Sequence, residues 1–183
     1  MAQLHKLELQ TQIRSSPFKI FDVYKNKTYL MPKISPDKLK TVEILEGDGK
    51  SVGSVRLWTY VMGIPVIAKD KIVAVDEEKK SITFELIGGE VTKYFKNFKA
   101  TFEAIAQTDK NMVKWTLEYE KASEDVPNLH SHLEFLVNMA MEIDAYLVVE
   151  GDLMELYKTF KLTIHVTPVG RQIFDWTLDY ENE

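Results

Sequence analysis

A glycine-rich loop and four histidines are the residues of this chain whose types could do chemistry, with Tyr24, Arg56, Tyr60 and Asp70 as further polar candidates. Gly49-Lys50-Ser51 has the form of the tail of a phosphate-binding loop. That motif needs a glycine five residues before its second glycine, and Ile44 stands there. The loop also lies between two predicted strands, whereas a phosphate cradle opens a helix. A tight turn fits better than nucleotide hydrolysis. His130 and His132 lie two apart at the start of a predicted helix and point to different sides, whereas helical metal pairs sit at i, i+4. Solvent or capping roles are expected of them. His5 and His165 stand alone on predicted strands. There is no cysteine, which removes a disulfide framework, a thiolate metal site and a thiol nucleophile. No serine–histidine–acid set or carboxylate pair falls into one site. The expectation is no catalytic residue, no metal and no cofactor, with a surface or structural role for Asp70.

The informative pattern is aromatic alternation along predicted strands. Arg56, Trp58 and Tyr60 share one face, Ile82, Phe84 and Leu86 another, and Phe98, Ala100, Phe102 and Ala104 a third. These faces need elements to hold them. Leu4 to Ile13 alternates as a strand. Ser15-Ser16-Pro17 offers a cap and a first-turn proline for a short helix. Strands are expected at 41–45, 54–62, 66–75, 81–87, 94–106 and 112–121. From Pro127 to Leu147, the residues Leu129, Leu133, Leu136, Met139, Ala140, Ile143 and Leu147 form the stripe of a long helix. A curved antiparallel sheet around that helix is the economical way to bury it. From the residues alone, such apolar stripes read first as a packed core.

The 183 residues, 45% hydrophobic and 28% charged, suit one globular domain. A net charge of -5 argues against a nucleic-acid partner. No apolar run approaches the roughly 20 residues of a membrane span, and the first ten residues have no signal-peptide core. A cytoplasmic protein is expected.

Leu30-Met31-Pro32-Lys33-Ile34-Ser35-Pro36, Glu46-Gly47-Asp48 with Val52-Gly53-Ser54-Val55, Ala74-Val75-Asp76, Trp115 to Lys121 and Glu124-Asp125-Val126-Pro127 occur in this order. With them, residues 1–147 resemble the plant major latex protein family, within the birch-pollen-allergen and pathogenesis-related class-ten superfamily. The resemblance implies an α+β helix-grip (START-like) fold, with seven curved antiparallel strands around a long C-terminal helix and a large cavity. It implies binding or carriage of a hydrophobic or amphipathic small molecule, such as a sterol, fatty acid, phenolic or hormone-like metabolite, in defence or stress response. Under it the alternating faces become cavity walls. The ligand-binding set would be Tyr24, Arg56, Trp58, Tyr60, Ile82, Phe84, Leu86, Phe98, Ala100, Phe102, Phe135, Leu136, Met139 and Ile143, with Met141 as adaptable lining. Some relatives are alkaloid cyclases or isomerases using cavity tyrosine, lysine and acid residues, so an enzyme of specialised metabolism is the alternative. A protein-interaction module is the third reading.

The chain continues past the usual end of such a domain. Residues 89–120 and 151–181 match: Gly89 answers Gly151, Lys96 Lys158 and Phe98 Phe160, then, one residue out of step, Trp115 answers Trp176 and Tyr119 Tyr180. Residues 148–183 therefore read as a partial repeat of 87–121, an extra β-hairpin. An isolated hairpin is at best marginally stable, so exchange between two copies, giving a homodimer, is the expected resolution.

Overall fold

The computed structural model describes residues 3–159. The chain divides into compact units at 1–147 and 148–183. In the first, β1 (Leu4–Ile13) leads into α1 (Pro17–Asn26) and the single turn α2 (Met31–Ile34). Six strands follow: β2 (Leu39–Glu46), β3 (Val55–Met62), β4 (Ile64–Asp76), β5 (Ser81–Gly89), β6 (Phe95–Ala106) and β7 (Asn111–Lys121). They form one antiparallel sheet in the order β1-β7-β6-β5-β4-β3-β2. The helix α3 begins at His130.

Local chemistry sets the boundaries. Ser16 caps α1, its side chain accepting from the Phe18 N–H, and Pro17 opens the helix where no N–H is needed. The loop between β2 and β3 closes on Asp48. Its Oδ1 accepts from the N–H groups of Lys50 and Ser51 at 2.9 and 2.7 Å, and its Oδ2 from the Ser51 hydroxyl at 2.6 Å. These donors hold the Asp48 carboxyl well below its ordinary range, the Ser51 hydroxyl foremost. Two of the N–H groups a phosphate would use are thus taken, as a tight turn requires. Gly89 ends β5 at φ 105, and a Cβ there would meet the Ile67 carbonyl oxygen at 2.1 Å.

The core lies between the inner face of the sheet and α3. Leu129, Leu133, Val137, Met139, Ala140, Ile143 and Leu147 are buried along that side. Phe102 packs at 4.1 Å on Tyr24 and 5.3 Å from Trp115. The Tyr119 hydroxyl donates to Asn128 Oδ1 at 3.1 Å and accepts from the Leu129 N–H at 3.3 Å, which fixes the chain at the start of α3.

The helix differs from expectation at its far end. It runs to Thr159, not Leu147. In the second unit, residues 148–159 are therefore helical, although 150–159 were expected to begin the extra hairpin. The stretch Asp152-Leu153-Met154-Glu155-Leu156 is rich in strong helix formers, and one glycine, Gly151, costs a helix only about 1 kcal/mol. Gly89 and Gly151, which match in sequence, stand in different conformations. The rest of the expected hairpin, and with it His165, lies outside the described residues.

Candidate functional site

A cavity of about 130 Å³ lies between the sheet and α3. Strand alternation sends Arg56, Trp58 and Tyr60 of β3 into it, with Ala68 and Asp70 of β4, Phe84 and Leu86 of β5, Phe98 and Ala100 of β6, and Trp115 of β7. Tyr24 of α1, Met31 of α2 and Leu39 at the start of β2 add to the wall. From α3 come His132, Phe135, Leu136 and Met139, spaced i, i+3, i+4 and i+7 along one face.

The structure thus brings together Tyr24, Arg56, Trp58, Tyr60, Phe84, Leu86, Phe98, Ala100, Phe135, Leu136 and Met139 of the expected set. Ile82, Phe102 and Ile143 belong instead to the packed core, at 1%, 0% and 0% exposure. They share faces with lining residues, but the hollow does not extend along the full length of strand and helix. Met141 faces outward, 49% exposed, because it lies two residues from Met139 on the helix. The open space is smaller than the large cavity the resemblance implies, since large side chains crowd it: Tyr60 and Phe135 stand 5.3 Å apart, ring to ring.

Sequence reasoning missed Met31, Leu39, Ala68, Trp115, His132 and, as a lining group, Asp70. His132 carried a usable signal, since its spacing to Phe135, Leu136 and Met139 is the stripe itself. Trp115 alternates with the buried Val113, Leu117 and Tyr119 and was equally accessible. Asp70 needed the β3–β4 register, which sets it opposite Arg56.

That pair dominates the electrostatics. Arg56 Nε donates to Asp70 Oδ1 at 3.0 Å and Nη2 to Oδ2 at 2.8 Å, while Trp58 Nε1 donates to Oδ2 at 2.9 Å. Asp70 is buried, so its role is structural but not at the surface. The guanidinium carbon lies 4.8 Å from the Trp58 ring centre and 4.6 Å from that of Phe84. Arg56 is 1% exposed, and its Nη1 has no partner.

The remaining polar groups are uncharged. Burial pushes the Tyr60 phenol up to about 12 and raises that of Tyr24 further. The Trp115 indole pulls slightly against the latter shift, although Tyr24 Oη and Trp115 Nε1 are not in hydrogen-bond geometry and neither has a partner. Burial lowers His132 from its ordinary value, and its Nδ1 is likewise unpartnered. His130 is exposed, and His5 stacks on Tyr119 at 5.5 Å. Among the described residues, no group of three or more histidine, aspartate or glutamate side chains could hold a metal ion. The site offers apolar walls and a few buried donors, and Asp70, its one carboxylate among the described residues, is already engaged by Arg56 and Trp58. No helix among the described residues is long and apolar enough to cross a membrane.

The comparisons with known proteins agree with this geometry. The family described as pathogenesis-related protein Bet v 1 matches residues 2–150. MLP-like protein 423 of Arabidopsis thaliana is 36% identical over 144 residues, which cover 78% of this chain and 93% of that protein. The crystal structure of ginseng major latex-like protein 151, from Panax ginseng, superposes with a TM-score of 0.76 at 33% identity, covering 78% of this chain and 97% of that one. A Thalictrum norcoclaurine synthase variant in complex with a transition-state analogue shares the fold at a TM-score of 0.65 and 20% identity. With its seven-stranded sheet, long helix and the cavity between them, the chain belongs to the pathogenesis-related protein Bet v 1 family, among the major-latex-like proteins.

Proposed function

We propose that this protein binds and carries a hydrophobic or amphipathic small molecule in the cavity between the sheet and α3. One observation carries the reading: an apolar space whose lining residues hold several buried polar atoms without a hydrogen-bond partner. Buried donors normally find partners, and a bound molecule would supply them. Burying about 300 Å² of apolar ligand surface gains about 7 kcal/mol, from which association costs are subtracted. Sterols, fatty acids, phenolics and hormone-like metabolites are the classes to test, and a role in defence or stress response is part of the proposal. A thermal-shift screen of the full chain against such a panel is the experiment. Ligand at about 100 times its Kd adds about 2.7 kcal/mol of stability. Absence of any ligand-dependent shift across the panel would count decisively against the reading.

A second reading has one specific observation in its favour. His132 borders the cavity, is held neutral by burial and has a free Nδ1, as a general base would. An isomerase or cyclase would use it beside Tyr60 or Arg56. Turnover lost in His132→Gln or Tyr60→Phe while binding survives would decide for it.

A further inference from the structure

The charge state of the cavity says what kind of head group it accepts. Among the described residues, Arg56 is the only cationic side chain in the lining, and Asp70 the only carboxylate. Asp70 lies directly across from Arg56 on the neighbouring strand and takes two of its N–H groups, at 3.0 and 2.8 Å. The pair cancels. A guanidinium has five N–H donors, so three remain, and the two on Nη1 are buried and unpartnered. Trp115 Nε1, a donor only, is in the same position. Two of the site's donor groups are thus left without acceptors, and the site has no spare positive charge.

An incoming carboxylate would lose its hydration and find a cation already neutralised, with the Asp70 carboxylate beside it. A neutral oxygen meets the same donors without that repulsion. The geometry points to an uncharged ligand, an apolar ring or chain bearing a carbonyl, ether or hydroxyl oxygen that accepts from Arg56 Nη1, with carboxylates discriminated against. This rests on the cavity-binding reading above and narrows it. Among the proposed classes, neutral phenolics meet this requirement in both charge and size, neutral sterols meet it in charge alone, and ionised fatty acids do not. The specificity comes from a repulsive element, Asp70, as much as from an attractive one.

Three single-ring probes of nearly equal size separate the possibilities: acetophenone, benzoate and ethylbenzene. A single ring suits the space, since an engineered cavity of about 150 Å³ holds benzene. Titrations of the full chain at neutral pH, followed by tryptophan fluorescence and by ligand-observed NMR, give the three affinities. Acetophenone is expected to bind roughly tenfold tighter than benzoate and several-fold tighter than ethylbenzene. In Asp70→Asn, the uncancelled guanidinium should raise benzoate roughly tenfold relative to acetophenone. The wild-type ratios stand on their own should that variant fail to fold. Benzoate binding as tightly as acetophenone in the wild type overturns the inference. Ethylbenzene matching acetophenone leaves cavity binding intact but overturns the inference. No binding by any probe overturns the cavity-binding reading itself, and this inference with it.

Discussion

Asp144, on α3, accepts a 2.7 Å hydrogen bond from the backbone N–H of Ser15, just before α1. The Arg14 N–H donates to the same carboxylate at 3.1 Å to each oxygen. This acid therefore fastens α3 to the junction of β1 and α1. Its exposure is 8%, so water cannot replace it readily. Asp144→Ala leaves two backbone donors without partners, at about 1–3 kcal/mol each. The total of about 2–6 kcal/mol should lower thermal melts by roughly 4–24 °C, at about 2–4 °C per kcal/mol for a chain of this size. A melt within 1–2 °C of wild type would remove the fastening role.

The two ends of α3 mark how far the sequence was legible. The stripe from Leu129 to Leu147 predicts the helix because burial on one side leaves a 3.6-residue period. Its extension to Thr159 was hidden, because the likeness between 151–159 and the β5–β6 segment pulled the reading toward strands. Residue likeness does not fix conformation where local helix propensity runs the other way. Within the site, alternation placed Arg56, Trp58 and Tyr60 on one face, since period two survives in a single strand. It could not say where the hollow ends, so Phe102 and Ile143 were expected in the wall although they fill the core. Nor could it pair Arg56 with Asp70, which depends on strand register.

His132 gives the protein a dependence on acid whose sign is fixed. Burial holds this imidazole below its ordinary 6.5. The folded chain therefore binds fewer protons there than the unfolded one, and stability rises as pH climbs to about 6.5. It is lost on acidification below that value. Melting temperatures between about pH 5 and 7.5 should slope less steeply for His132→Gln than for wild type. Equal slopes would mean that this histidine charges freely in the folded protein.

Gly89 is held where no side chain fits. A Cβ would approach the Ile67 oxygen to 2.1 Å, and the backbone φ of 105 disfavours any other residue. Gly89→Ala should cost about 1–3 kcal/mol or more in denaturant titrations. A cost under about 0.5 kcal/mol would show that β4 and β5 part easily at this point.

Ala100 decides the central claim. It lies in the wall beside Phe98, buried at 6%, and directly opposite Phe84 in the β5–β6 register. Ala100→Leu adds three carbons to a space of about 130 Å³, occupying much of it at a typical strain of about 1–3 kcal/mol. The most direct measurement is native mass spectrometry of the full chain after incubation with an extract of apolar metabolites, wild type beside Ala100→Leu. A discrete small-molecule adduct on the wild type that is lost in the folded variant is the predicted result. No adduct on the wild type, or one retained undiminished by Ala100→Leu, would contradict the account.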